Sequence, residues 1–211
     1  MDLSLAIAGN VGVGKSTLTK LLTDAFGAKP FFEPSAENPY LADFYQDMSR
    51  WAFHSQMYFL STRLKHHAAM MSEKGILIQD RSLYENAEIF ARYLYEKGHI
   101  IDRDWNIYEE IYRTAVELLK PPHLIIYLQA SVPSLIERIK TRGRSFEQDM
   151  DEAYLQDLNR LYESWAMHFT RAPILTIHTD QIRYLDDPAE WQHVLGMIND
   201  RIGGTQLSAR L

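Results

Sequence analysis

The sequence predicts an α/β fold of three layers, with a parallel sheet of about five strands flanked by helices on both sides. Three observations carry this. Short apolar runs alternate along the chain with longer stretches of helical periodicity. The first apolar run, Leu3 to Ala8, passes at once into a glycine-rich loop, Gly9 to Thr17, and then into an amphipathic stretch over Leu18 to Phe26. No internal repeat, low-complexity tract or linker divides the 211 residues, a length that suits one domain with a substantial core. That domain is expected to span residues 1–203, with a loose tail over 204–211.

After the first strand and helix, Ala28 to Glu33 reads as a short second strand, and the proline-containing segment to Tyr40 as loop. Leu41 to Met71 reads as helix broken near Ser49-Arg50, with Trp51, Met57, Tyr58 and Leu64 forming an apolar face. His66 and His67 fall on its polar side with no carboxylate or cysteine at metal spacing, so they read as a solvated pair. Ile76 to Gln79 is a buried strand that delivers Asp80-Arg81-Ser82 at its carboxyl end. Helices follow over Leu83 to Lys97 and Asp104 to Leu119, and Pro121-Pro122 separates them from a strand over His123 to Leu128. Ser131 is the expected cap of a helix reaching Arg142-Gly143. A charged helix over Asp151 to Phe169, a strand over Ile174 to His178 and a helix over Pro188 to Ile202 complete the series.

Composition narrows the function classes. The chain has no cysteine, which excludes disulfides, thiolate metal sites and a cysteine nucleophile together. No apolar run approaches the roughly 20 residues of a membrane helix, and a cleaved signal peptide is not expected, so a cytoplasmic protein with no membrane partner is the reading. A net charge of −6 argues against a broad surface for a nucleic acid polymer, while leaving room for a basic pocket around one small polyphosphate.

Gly9-Asn10-Val11-Gly12-Val13-Gly14-Lys15-Ser16-Thr17 satisfies the pattern G-x-x-x-x-G-K-[ST] at every required position. Glycines let several backbone N–H groups face one anion, and the following helix adds the positive end of its dipole. The pattern implies a nucleoside triphosphate, with Lys15 reaching its β- and γ-phosphates and the Ser16 hydroxyl holding Mg²⁺. In a parallel sheet ligands sit beyond the carboxyl ends of the strands, so Glu33, Asp80 and Arg81 share the rim with this loop. Glu33 is placed to accept a proton from an attacking hydroxyl, although its position equally allows a surface glutamate beside a proline. Asp80 is placed to hold Mg²⁺ directly or through water, and Arg81 to brace an acceptor oxygen or the base; the plainer alternative is a structural ion pair. Arg138 and Arg142 lie one helical turn apart, Arg144 follows Gly143, and together they suggest a lid closing on a transferring phosphoryl group rather than a merely basic helix end.

Set together, these pieces resemble the deoxyribonucleoside kinase family, from Leu3 to about Ile202. The resemblance implies a P-loop kinase fold with a helical lid over about residues 138–150. It also implies that Glu33 is the general base for the sugar 5′-hydroxyl and that Gln56, in Trp51-Ala52-Phe53-His54-Ser55-Gln56, pairs with the nucleobase edge. Arg63 corresponds to a position that helps to read the base, Tyr45 to the tyrosine that touches the sugar 3′-hydroxyl, and Glu147 to the lid acid that shares that hydroxyl. Asp80-Arg81-Ser82 is similar to the family's acid-Arg-Ser signature, and Arg138 to Arg144 to its lid. Asn86 departs from the pattern, because some relatives place an aspartate there to contact the base; an amide keeps a contact while weakening any specificity argued from the acid.

The Asp in Gln79-Asp80-Arg81-Ser82-Leu83-Tyr84-Glu85 resembles bacterial deoxyadenosine kinases more than the animal enzymes. The expected reaction is transfer of the ATP γ-phosphoryl group, with Mg²⁺, to the 5′-hydroxyl of deoxyadenosine in nucleoside salvage. Deoxycytidine or deoxyguanosine is the nearest alternative, and a thymidylate-type nucleotide kinase or a nucleotide-dependent switch stands further off. Relatives pair as homodimers through helix packing, and the resemblance extends that expectation to this chain.

Overall fold

The structure is a computed structural model and describes residues 3–32, 37–144, 147, 150–182 and 184–202. Five strands form one sheet: β1 (Leu3–Gly9), β2 (Lys29–Phe31), β3 (Ile76–Asp80), β4 (Leu124–Gln129) and β5 (Ile174–His178). Their order is β2-β3-β1-β4-β5, and every pairing is parallel. The helices are α1 (Lys15–Phe26), α2 (Leu41–Gln46), α3 (Met48–Met71), α4 (Leu83–Glu85), α5 (Arg92–Glu96), α6 (Asp102–Leu118), α7 (Val132–Arg142), α8 (Glu152–His168) and α9 (Pro188–Arg201). A π-helical segment, Asn86–Ala91, joins α4 to α5.

Both faces of the sheet are covered, which is why its strands read as continuous apolar runs. Leu3, Leu5 and Ile7 of β1 point into a core shared with Leu18 and Leu22 of α1, Leu135 and Ile139 of α7, and Val194 and Ile198 of α9. Ala6 and Ala8 point the other way, into a core with Leu60 of α3, Tyr108 of α6 and Tyr162 of α8. Small residues on that face leave room for aromatic rings, and Tyr127 stacks on Tyr162 with centroids 5.6 Å apart.

The helix expected over residues 41–71 breaks at Asp47 rather than at Ser49-Arg50. Asp47 adopts an extended φ of −144° and its carboxylate accepts from the Arg50 N–H at 3.1 Å, so it ends α2 and caps α3. Ser131 stands before α7 as expected, but its hydroxyl donates to Ser134 Oγ instead of capping the backbone. Its own N–H donates to Asp180 at 2.7 Å. His66 and His67 are not a solvated pair. His67 is buried on α3, and His66 meets the edge of Phe31 at 5.9 Å. No helix among the described residues is long and apolar enough to cross a membrane. The tail over 204–211 lies outside the described residues.

Candidate active site

β1 and α1 are joined by the phosphate loop, and its shape depends on glycine at two contacts. Gly9 has φ +142°, and a Cβ there would meet the Leu128 carbonyl oxygen at 2.6 Å. Gly12 has φ +82°, and a Cβ there would meet Ile139 Cγ1 of α7 at 2.7 Å. The loop is fixed from the side by Asn10, whose amide donates to the Leu155 carbonyl at 3.0 Å and to Asn159 Oδ1 at 2.8 Å. Its oxygen accepts from the Val11 N–H at 2.7 Å. Lys15 is buried and its ammonium donates to the carbonyls of Gly9 and Asn10, both at 2.9 Å. No acidic residue sits in the first turn of α1, so nothing on that turn offsets the positive end of its dipole.

β3 brings Asp80 beside the loop. The Ser16 hydroxyl donates to Asp80 Oδ2, and Asp80 Oδ1 is buried with no hydrogen-bond partner among the described residues. Hydroxyl and carboxylate oxygens of this kind suit a hard cation such as Mg²⁺, which takes few protein ligands and completes its shell with phosphate and water. Arg81 is the one non-glycine residue with positive φ (+73°) among the described residues. Its guanidinium lies over the Phe90 ring, 4.3 Å from the centroid. Arg81 also donates to Glu85 at 3.3 Å and to the Tyr162 hydroxyl at 3.1 Å. Glu85 was missed as a site residue from sequence, although Ser82-x-x-Glu85 is a capping-box pattern and the box is formed.

One cavity of about 1000 Å³ joins the loop to an apolar chamber. Gln56 of α3, Tyr45 of α2 and Asn86 border it, together with the rings of Phe44, Phe59 and Phe90. Gln56 is buried and its Oε1 has no partner among the described residues. Asn86 donates through Nδ2 to the buried hydroxyl of Tyr108 at 3.0 Å, which leaves its Oδ1 as the amide end not used in that bond. Arg63, two turns beyond Gln56, is buried behind the strand end and donates to the Asp80 carbonyl at 3.3 Å.

Arg138, Arg142 and Arg144 all border the cavity, and their partners differ. Arg138 donates to the Val13 carbonyl at 3.2 Å, to Thr179 Oγ1 at 2.9 Å and to the Thr179 carbonyl at 3.1 Å. It staples α7 to the phosphate loop and to the end of β5. Arg142 and Arg144 both engage the buried carboxylate of Glu147, the latter at 3.4 Å. Glu33 and residues 145, 146, 148 and 149 of the expected lid lie outside the described residues.

A triphosphate-shaped loop and a chamber lined with aromatic rings therefore share one cavity. The sequence profile of the deoxynucleoside kinase family matches residues 5–202. The chain belongs to the deoxynucleoside kinase family. As such a kinase it moves a phosphoryl group from a nucleotide donor to a deoxynucleoside, on the P-loop kinase fold described above. It is 35% identical over 204 residues to a deoxyadenosine/deoxycytidine kinase of Bacillus subtilis, a match covering 96% of this chain and 94% of that one. It is 32% identical over 210 residues to a deoxyguanosine kinase of Lactobacillus acidophilus, covering 94% and 90%. Its fold is similar to that of a deoxyadenosine kinase from M. mycoides with bound dCTP, with a TM-score of 0.80 and 30% identity, covering 94% of this chain and all of that one. The kinase's relatives thus carry different base preferences.

Proposed function

We propose that this kinase phosphorylates deoxyadenosine at its 5′-hydroxyl with ATP, and accepts deoxycytidine second. The observation that carries the base preference is the buried carbonyl oxygen of Gln56, which has no partner among the described residues. An unsatisfied buried acceptor costs on the order of 1–3 kcal/mol, and a base that donates there recovers it. Adenine and cytosine both carry an exocyclic amino group that donates there directly, whereas guanine carries O6 at that position and has to shift on the amide to donate its N1–H instead. The similarity to a deoxyadenosine/deoxycytidine kinase points the same way.

In this reading the loop amides and Lys15 hold the donor phosphates, and Glu33 takes the proton of the attacking hydroxyl. Arg81 orients that hydroxyl, while Tyr45 and Glu147 hold the sugar. Arg142 and Arg144 neutralise the charge that develops on the phosphoryl group, and Arg138 fixes the loop from α7. Ser16 and Asp80 would hold Mg²⁺, and the ion when bound would supply positive charge against the donor phosphates.

The test is purified protein with Mg-ATP and a panel of four deoxynucleosides and their monophosphates, scored by acceptor-dependent ADP release. Deoxyadenosine is expected to give the highest kcat/KM, and deoxyguanosine to fall at least about tenfold below it. A panel led by deoxyguanosine would sink the base assignment. Preference for a monophosphate would sink the acceptor assignment.

A further inference from the structure

We propose that Glu85 is a positioning residue for phosphoryl transfer, locking Arg81 and the root of the phosphate loop into one fixed relation; the proposal rests on the reading of Arg81 given above. Glu85 is fully buried one turn beyond the Asp80-Arg81-Ser82 bend. Its two oxygens face different elements. Oε2 accepts from the Ser82 N–H at 3.1 Å, which with the Glu85 N–H donating to Ser82 Oγ at 3.3 Å completes the capping box, and it also accepts from the Ser82 hydroxyl at 3.3 Å. Oε1 turns away from the cap. It accepts from Arg81 Nη1 at 3.3 Å, from the Tyr162 hydroxyl of α8 at 2.7 Å, and from the Gly9 N–H at 3.4 Å.

The three groups on Oε1 come from the end of β1, from the bend after β3 and from α8. Gly9 opens the loop that cradles the donor, and Arg81 borders the chamber for the acceptor. One carboxylate thus sets the distance between the two halves of the reaction. Arg81 has a second restraint, because the same Tyr162 hydroxyl also receives its Nη1 at 3.1 Å. Burial raises the Tyr162 hydroxyl well above the ordinary phenol range, so it stays protonated and can donate to Glu85. A buried carboxylate is costly unless paired and hydrogen-bonded, and capping the helical run that starts at Leu83 does not call for a second, ionic set of partners. Transfer between two bound groups is sensitive to sub-ångström placement, and that gives the second set its use.

The experiment compares Arg81→Ala, Glu85→Gln and the double variant, each checked for thermal unfolding, with kcat and both KM values measured. Glu85→Gln keeps the volume but loses the ion pair and half of the acceptor capacity. It is expected to lower kcat at least about tenfold while moving the nucleoside KM less than about threefold. In the Arg81→Ala background it should cost less than about twofold more, since its route runs through Arg81. Wild-type kcat in Glu85→Gln, a rise in KM alone, or an equal loss with and without Arg81 would each overturn the proposal. Wild-type kcat in Arg81→Ala would instead overturn the reading of Arg81 on which it stands. If Glu85→Gln does not fold, Tyr162→Phe removes one bond to the same oxygen without stranding a charge. It should lower kcat about three- to tenfold with KM held within about twofold, and an unchanged kcat there also refutes the idea.

Discussion

His67 shows what a single buried side chain does to this protein's response to acid. It lies on the inner face of α3 with its imidazole pushed down to about 4, first by burial, then by the charges of Arg63 and His66. The folded protein therefore keeps His67 neutral, while the unfolded chain takes up a proton near 6.5. Stability from this residue is complete above pH 6.5 and is lost as pH falls toward 4, a loss of about 2 kcal/mol between pH 7 and pH 5. His67→Gln should remove that share of the acid sensitivity. Urea unfolding of both proteins at pH 7 and pH 5 checks it, and an equal acid loss in the variant would clear His67 of the role. In the sequence this histidine looks solvated, because a polar side chain beside a second histidine implies exposure. The inner face of α3 holds Ala52, Ser55, Gln56, Phe59, Leu60, Arg63, His67 and Met70, so its helical period is intact but its chemistry is half polar. By contrast, Lys15 and Ser16 were legible at once, since contiguous residues define that motif. Glu85 was not, because Gly9 and Tyr162 lie far from it along the chain.

At the scale of elements, the phosphate loop is held by its neighbours as much as by its own sequence. Gly12 packs on α7, where an added Cβ would press on Ile139 and lie 3.0 Å from the Leu135 carbonyl oxygen. Gly12→Ala is therefore expected to destabilise the fold by about 2 kcal/mol or more and to weaken ATP binding, because positive φ and steric conflict add. Thermal unfolding and an ATP titration measure both, and near-wild-type values would deny that α7 abuts the loop. The helix expected over residues 83–97 is present, yet its middle is π-helical. A π turn sets side chains in a register that no 3.6-residue pattern foretells, and Asn86 and Phe90, both in that segment, border the cavity.

For the whole molecule, alternating strands and helices were enough to foresee the layers, and the placement of the site at the carboxyl ends of the strands followed from that. The spatial order β2-β3-β1-β4-β5 was not legible, since buried strands all read alike. That order has a consequence for how the protein comes into being. β1, the first of the five strands along the chain, sits at the centre and pairs with β3 and with β4, whose register runs from Leu5↔Leu124 to Gly9↔Leu128. A ribosome has therefore synthesised the phosphate loop long before it releases the strand that flanks it. Until then β1 keeps an open, apolar edge, which is a template for aggregation. A chain ended at Leu119 contains the whole nucleotide-binding motif but not its flank. It is expected to form aggregates on gel filtration and to show no ATP binding, and a monomeric, ATP-binding fragment would contradict this order of events. The loop that follows β1 is thus expected to be among the last parts of this domain to become competent.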